Sequence, residues 1–282
     1  MMSVLQNLLP SPVREASIKA RIALYRPFGW LRGRKVGANL QPMRAAHGGG
    51  GGEPVVDNAL WTYFQNNHTG PGIWKWHHYF EAYDRHLAKF RGQSPVVMEV
   101  GIYSGGSLGM WRSYFGPGCS IIGVDIEEAC RVCESEGIRV LIGDQGDPEF
   151  WRGVKKDLPP VDVFIDDGGH TKTQQIVTLE QMLSQMAPGG VFICEDIHGT
   201  RNGFMAFVAG MAGLLNKTEK RDGGQVPDEV QRQIHSIHIY PYMVVVEKRS
   251  APLDALTLSK QGTEWQPFLH PERMQAQQVD PN

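Results

Sequence analysis

Cysteine is scarce: Cys119, Cys130, Cys133 and Cys194 are the only four in 282 residues. So few in a chain this long exclude a disulfide framework and point to a reducing compartment. Cys130 and Cys133 make a lone C-x-x-C with no second pair to complete a structural zinc site, so their spacing reads as two small residues packed on one helix face. Long apolar runs are also missing. Nothing approaches the ~18 residues of a membrane-spanning helix, and the N-terminus lacks the apolar stretch and cleavage site of a secretory signal. Net charge is nearly absent, at −2, which argues against a general nucleic-acid binder. No internal repeat is visible. The expectation from these absences is a cytoplasmic globular protein without nucleic-acid partners.

What is present is a globular average, 41% hydrophobic and 21% charged, enough to build a core. Charge is unevenly placed: residues 1–52 hold eight Lys/Arg against a single acid, Glu15. This basic arm, closed by the glycine run 48–52, reads as a surface segment packed on a partner subunit in a homo-oligomer or partly disordered. Organelle targeting or peripheral membrane contact stays open for it. Residues 53–94 form an aromatic, helix-patterned cap, broken into two helices by Gly70, Pro71 and Gly72.

From residue 95 to 250 short apolar runs alternate with helix-length segments. VVMEV (96–100), SIIGVD (120–125), IRVLIG (138–143), VDVFID (161–166) and GVFICED (190–196) read as buried strands. Helix candidates lie between them at about 105–115, 127–136, 147–156 and 170–186, and another at about 202–216. Such alternation indicates an α/β domain with a mostly parallel sheet. Pro241 splits the later run IHSIHIYPYMVVVEK in two. The tail, 251–282, is polar.

Four constellations carry chemistry. In EVGIYSGGSLGMW (99–111) a strand enters a glycine-rich turn and then a helix; Gly101, Gly105 and Gly106 would let backbone approach a ligand at a helix N-terminus. The spacing is not that of a dinucleotide fingerprint. Asp125 ends the second strand 24 residues after Gly101, where a carboxylate can accept both ribose hydroxyls of a nucleoside. In GDQGDPEFW, Asp144 or Gln145 could meet an adenine amino group, while Asp147-Pro148 reads as a helix cap and first turn. Finally, IDDGGH (165–170) and CEDIH (194–198) end neighbouring strands. Asp167, Glu195 and Asp196 would converge there; three like charges need a cation, and an all-oxygen set suits Mg²⁺ or Ca²⁺. His170 would sit beside it, neutral near pH 7 and able to accept a proton.

Taken in order, KWHHYFEAY, EVGIYSGGSLGMWRSYF, IIGVDI, GDQGD, IDDGGH and PGGVFICEDIH resemble the metal-dependent macrolide sugar O-methyltransferases, mycinamicin and tylosin type, and their cephalosporin-hydroxylase-like relatives. The resemblance covers roughly Ile73 to His198. It implies the Rossmann-like class I methyltransferase fold, a mostly parallel seven-stranded sheet flanked by helices with an N-terminal helical extension. It also implies metal ligation by Asp167, Glu195 and Asp196, and His170 as general base. Glu99, Gly101, Ser107, Asp125, Asp144 and Gln145 fall at the S-adenosylmethionine site, and Lys75 to Tyr79 match a covering helix. Gln174 stands where relatives often carry a second histidine, and Gly199-Thr200-Arg201 replaces a Thr-Ser-Tyr. Both changes lie near the acceptor position and argue against carrying over a macrolide sugar, so the acceptor expected is a small-molecule natural-product hydroxyl, sugar-bearing or diol-containing. The competing readings are a cofactor-binding or assembly protein without catalysis, and a metal-dependent hydrolase; the latter leaves the glycine turn and Asp125 unexplained.

Overall fold

The structure, a computed structural model, describes residues 29–40, 58–217, 220–221, 224–225, 227–259 and 261. Most of the basic arm, the glycine run 48–52 and the tail beyond residue 261 lie outside the described residues. The chain divides into two compact units, Met1–Val55 and Val56–Asn282. In the first, residues 29–33 are helical and run toward a 3₁₀ turn at Val36–Asn39, with the Arg34 guanidinium 4.8 Å from the centre of the Trp30 ring.

In the second unit the apolar runs become strands. β1 (Val96–Val100), β2 (Ser120–Asp125) and β4 (Val161–Asp166) coincide with the runs that mark them, and β3 spans Ile138–Ile142. β5 (Met186–Cys194) begins earlier than expected, because Met186 already pairs with Val161 across a bulge; Glu195 and Asp196 lie just beyond it. After a two-stranded ribbon, β6 (Lys220–Arg221) and β7 (Gly224–Gln225), come β8 (Ile234–Tyr240) and β9 (Met243–Lys248). Pro241 and the left-handed Tyr242 (φ 61°) make the two-residue turn between β8 and β9.

The seven-stranded sheet runs β3-β2-β1-β4-β5-β9-β8. β1 to β5 are parallel, β9 is antiparallel to β5, and β8 antiparallel to β9. Order reverses between β1 and β4, and in such sheets ligands collect beyond the carboxyl ends at that point.

Strand alternation divides the core in two. Val97, Ile121, Val163, Ile165, Val191, Ile193 and Val245 face one way, against Tyr83, Trp111 and Phe115. Met98, Val100, Ile122, Phe164, Phe192, Cys194 and Val246 face the other, with Trp151, Leu179 and Phe204.

Helix starts follow local chemistry. Asn58 caps α1 (Ala59–Asn66) by accepting from Trp61 N–H, and α2 (Tyr79–Leu87) follows. α3 (Gly106–Phe115) starts directly from the glycine turn. Asp147 caps α4 (Pro148–Val154), as the Asp-Pro pair indicates. Thr171 and Gln174 form a capping box for α5 (Lys172–Met182), leaving His170 just outside the helix. α6 (Gly203–Leu215) and the short α7 (Glu229–Gln233) precede β8.

Two expectations fail. The helix expected at 127–136 is a 3₁₀ segment, Glu128–Cys133; a bridge from Ser135 to Ile138 and the left-handed Gly137 use up the rest of the short connection. Lys75 to His78 is not helical: this stretch is an irregular strap entering α2. No helix among the described residues is long and apolar enough to cross a membrane.

Candidate active site

Where β1, β4 and β5 end, alternation sends Glu99, Asp167 and Glu195 toward the sheet face shared by Val97, Ile165 and Ile193. The strap before α2 crosses that face and delivers Lys75. Its ammonium lies 2.6 Å from Asp167 Oδ2, 3.1 Å from Glu195 Oε2 and 3.5 Å from Glu99 Oε1. Ser107 donates to the second oxygen of Glu99 at 2.6 Å, and Tyr83 to the second oxygen of Glu195 at 2.6 Å. Burial alone would lower the Lys75 pKa, but Asp167, Glu195 and Glu99 together hold it well above the ordinary lysine value. Burial pushes Glu195 up to about 8, against the pull of Lys75, and raises Glu99 as well. The ammonium is therefore locked on while carboxyl protons are held back from release.

Asp196 leaves β5 with φ 54°, a left-handed turn that interrupts the alternation. Its Oδ1 accepts from Trp76 Nε1 at 3.0 Å and from the Tyr79 hydroxyl at 2.9 Å, and its N–H donates to the same hydroxyl at 3.2 Å. Its Oδ2 lies 3.7 Å from His170 Nε2. His170 is also left-handed, at φ 56°. Such conformations cost roughly 1–3 kcal/mol each and persist where surrounding structure enforces them. Asp167, His170 and Asp196 each bring one ligand atom within 4.8 Å of the others.

Asp166 points the opposite way, into the second core half. Gln145 Nε2 donates to its Oδ1 at 2.8 Å and its Oδ2 is buried without a partner; burial raises its pKa to about 6. Gln145 also donates to Thr178 Oγ1 and accepts from Gly169 N–H at 2.7 Å. It thus braces the turn that presents His170.

A cavity of about 770 Å³ opens over these strand ends, a volume typical of small-molecule sites. Gly101, Ser107, Asp125, Asp144, Gln145, Asp167, His170 and Asp196 all line it, whereas Glu99 does not. Asp125 accepts from Tyr103 N–H and Glu127 N–H while remaining half-exposed, with exposed Ile126 beside it. The side chains of Glu99, Ser107 and Gln145 bond to protein, Ser107 to Glu99, Glu99 to Lys75, and Gln145 to Asp166, Thr178 and Gly169. Asp144 accepts from Gly146 N–H and is exposed. The glycine turn also differs from expectation. A Cβ at Gly101 (φ 80°) would lie 2.0 Å from the Asp167 carbonyl, and one at Gly106 2.4 Å from the Pro71 and Gly72 carbonyls. These glycines admit neighbouring protein backbone, which holds the strand ends and the strap together.

Of the expected metal set, the structure brings Asp167 and Asp196 together with His170. Glu195 also lines the cavity and shares the Lys75 ammonium with Asp167, but it is 1% exposed and bonded to Tyr83. The sequence reading placed Lys75 to Tyr79 in a covering helix but gave Lys75 and Tyr79 no polar partner, and it gave Tyr83 no part in the site. Tyr79 and Tyr83 lie one helical turn apart on α2, and with Lys75 on the strap they reach four acids, Glu99, Asp167, Glu195 and Asp196.

No family model matches the sequence. Among curated proteins, the chain is 29% identical over 203 residues to the 8-demethyl-8-alpha-L-rhamnosyl tetracenomycin-C 2'-O-methyltransferase of Streptomyces olivaceus, covering 64% of this chain and 53% of that one. It is 30% identical to the mycinamicin VI 2''-O-methyltransferase of Micromonospora griseorubida (61% and 48%) and 32% to the L-olivosyl-oleandolide 3-O-methyltransferase of Streptomyces antibioticus (59% and 49%). The MycE methyltransferase of mycinamycin biosynthesis, solved with Mg and SAH, superposes with a TM-score of 0.61 at 25% identity, over 78% of this chain and 60% of that one. The chain has the class I methyltransferase fold and resembles these sugar O-methyltransferases. It spans about half the length of the curated relatives it matches.

Proposed function

We propose that the chain is an O-methyltransferase that moves a methyl group from S-adenosylmethionine to a hydroxyl of a sugar-bearing or diol-containing small molecule, with the help of a divalent cation such as Mg²⁺. The observation that carries this reading is a single cavity with Asp125 on its lining and Asp167, His170 and Asp196 also opening into it.

Both groups fit the residues present. Asp125 gives two N–H bonds' worth of its acceptor capacity to the backbone and keeps the rest for a ribose diol. Ile126, 62% exposed on the cavity wall, offers an apolar surface to a purine. On the metal side, Asp167 and Asp196 provide hard oxygen donors. The carboxyl groups outnumber the one ammonium; burial raises Glu195 against the pull of Lys75, Asp167 adds to the rise, and a bound cation would favour its ionised form. The cation contributes Lewis acidity that eases ionisation of an aliphatic hydroxyl. Exposed Trp74 and Trp76 line the same cavity and give flat apolar surface for the C–H face of a sugar ring.

The chain's own task is alignment and proton removal, since the sulfonium of the co-substrate is already a good leaving group. His170 accepts the proton of the acceptor hydroxyl through Nε2. Asp196, 3.7 Å away, stabilises the imidazolium that results. The braced Gly168–Gly169 turn and the left-handed backbone at both residues keep them opposed.

The test is S-adenosylmethionine titration by calorimetry with and without Mg²⁺, followed by transfer of labelled methyl to glycosides and catechols. Binding heat and Mg²⁺-dependent transfer are expected. Absence of any cofactor heat overturns the reading, and full transfer in EDTA overturns its metal part.

A further inference from the structure

The C-terminal turn of α2 meets the sheet at a place that the proposed chemistry does not use. In the β8–β9 pair, Ser236 faces Glu247 and His238 faces Val245, so Ser236, His238, Tyr240 and Glu247 fall on one face by alternation. Helix α2 covers that face with His86, which is 4% exposed. His86 Nδ1 lies 2.7 Å from Glu247 Oε1, and its ring centre is 4.5 Å from that of His238. One ligand atom from each of His86, His238 and Glu247 falls within 4.8 Å of the others.

We propose that His86, His238 and Glu247 form a second metal site, for a divalent transition metal of the Zn²⁺ class, distinct from the carboxylate-rich cavity. Two imidazoles and one carboxylate are a nitrogen-rich set that suits Zn²⁺ and disfavours Mg²⁺. Ligand atoms of a tetrahedral Zn²⁺ sit about 3.4 Å apart, so small side-chain rotations close the set. The outer contacts are those that metal-bound histidines use: Tyr240 OH is 2.8 Å from His86 Nε2, and Ser236 Oγ is 3.0 Å from His238 Nε2. Neutral imidazole and ionised carboxylate are the forms that bind metal, and His86 Nδ1 and Glu247 Oε1 already meet at 2.7 Å.

Such an ion would join α2 to the β8–β9 hairpin. α2 reaches the cavity through Tyr79, two turns or roughly 10 Å from His86 along the axis, and the hairpin meets it there, the Tyr242 carbonyl accepting from the Tyr79 hydroxyl at 3.1 Å. The site is a structural clamp behind the cavity wall.

The experiment is Zn²⁺ calorimetry in the presence of excess Mg²⁺, with Co²⁺ substitution read by its tetrahedral ligand-field absorption. It uses the full chain, His238→Asn, Glu247→Gln, Tyr240→Phe, and Asp167→Asn as the variant of the other site. The expected result is one Zn²⁺ equivalent in the parent and in Asp167→Asn, lost in His238→Asn and Glu247→Gln, and bound ~10- to 100-fold more weakly in Tyr240→Phe. No Zn²⁺ binding by the parent, or unchanged binding in both His238→Asn and Glu247→Gln, overturns the proposal. Because Glu247→Gln keeps the shape of the side chain, a folding failure in the histidine variant does not remove the test.

Discussion

The ends of β4 and β5 each carry two adjacent acids, Asp166-Asp167 and Glu195-Asp196, and each pair is split between an inner and an outer position. Asp166 and Glu195 are 1% exposed, whereas Asp167 and Asp196 reach the cavity half-exposed. Neighbouring residues on a strand point to opposite faces, which separates Asp166 from Asp167, and the left-handed turn at Asp196 separates it from Glu195. The inner acids are held by protein: Asp166 by Gln145, Glu195 by Lys75 and Tyr83. The outer acids are joined by His170 and face the cavity. The difference teaches that crowded charge at this sheet edge has two solutions, internal neutralisation and an external ligand, and that Lys75 is shared between them through Asp167.

Removing Lys75 breaks the comparison most strongly. Lys75→Met leaves Glu99 and Glu195 buried without a counter-charge, and breaking such a pair costs about 3–5 kcal/mol. Urea unfolding at pH 8 should show that loss, with part of it recovered in Lys75→Met/Glu195→Gln. Parent-like stability in Lys75→Met would mean that the inner layer does not depend on the ammonium.

At the outer layer the effect moves from stability to rate. His170→Ala should lower kcat for methyl transfer by about 10²- to 10⁴-fold, the usual contribution of a general base, with S-adenosylmethionine affinity unchanged by calorimetry. His170→Gly should be as inactive yet about 1 kcal/mol more stable than His170→Ala, since only glycine adopts φ 56° without strain. Equal thermal midpoints for the two variants would remove the strain from this account.

Which parts of this arrangement were legible in the sequence follows from how far each contact reaches along the chain. β1, β2 and β4 are continuous apolar runs bounded by turn residues, so their limits were readable to the residue. The Pro241 turn and the Asp147-Pro148 cap were equally local. The convergence of IDDGGH with CEDIH was readable because parallel neighbours end together. By contrast, Lys75 meets Asp167 across 92 residues and Glu195 across 120, and nothing local to the strap announces that contact. The left-handed backbone at Asp196 was hidden for another reason. Asp adopts this region more often than most residues, but its type alone does not announce the turn, which bonds with Tyr79 and Trp76 hold in place. That torsion turns Asp196 toward Trp76 and Tyr79, while Glu195, on the lining of the same cavity, stays against Lys75 and Tyr83.

Between the layers, pH gives a sharper separation. Asp166 has its pKa raised by burial to about 6, above the ordinary carboxylate value of 3.8. The folded state therefore binds more protons than the unfolded state in that window. The contribution is fully present below about pH 4 and is lost as pH rises through about 6, a change of roughly 3 kcal/mol. Asp166→Asn should remove this part of the slope and equal or exceed the parent in stability at pH 8 while keeping the Gln145 contact through its carbonyl. Denaturant midpoints from pH 4 to 8 check it; an unchanged slope in the variant would place the charged form of Asp166 in a more polar setting than its unpartnered Oδ2 implies.

The smallest effect belongs to Tyr79, the residue that holds an outer acid from the inside. Its hydroxyl accepts from Asp196 N–H and faces two acceptors, Asp196 Oδ1 and the Tyr242 carbonyl. One hydroxyl proton serves those acceptors in turn. Tyr79→Phe keeps the ring packed and removes only these bonds, so the expected stability loss is about 0.5–1.5 kcal/mol. Because Asp196 then loses the partner that fixes its left-handed turn, kcat should fall several-fold while cofactor affinity stays constant, a split that packing damage alone would not produce. A fall in cofactor affinity equal to the fall in kcat would instead show that the two ends of the cavity are not independent, and the separation of inner from outer acids would have to extend as far as Asp125.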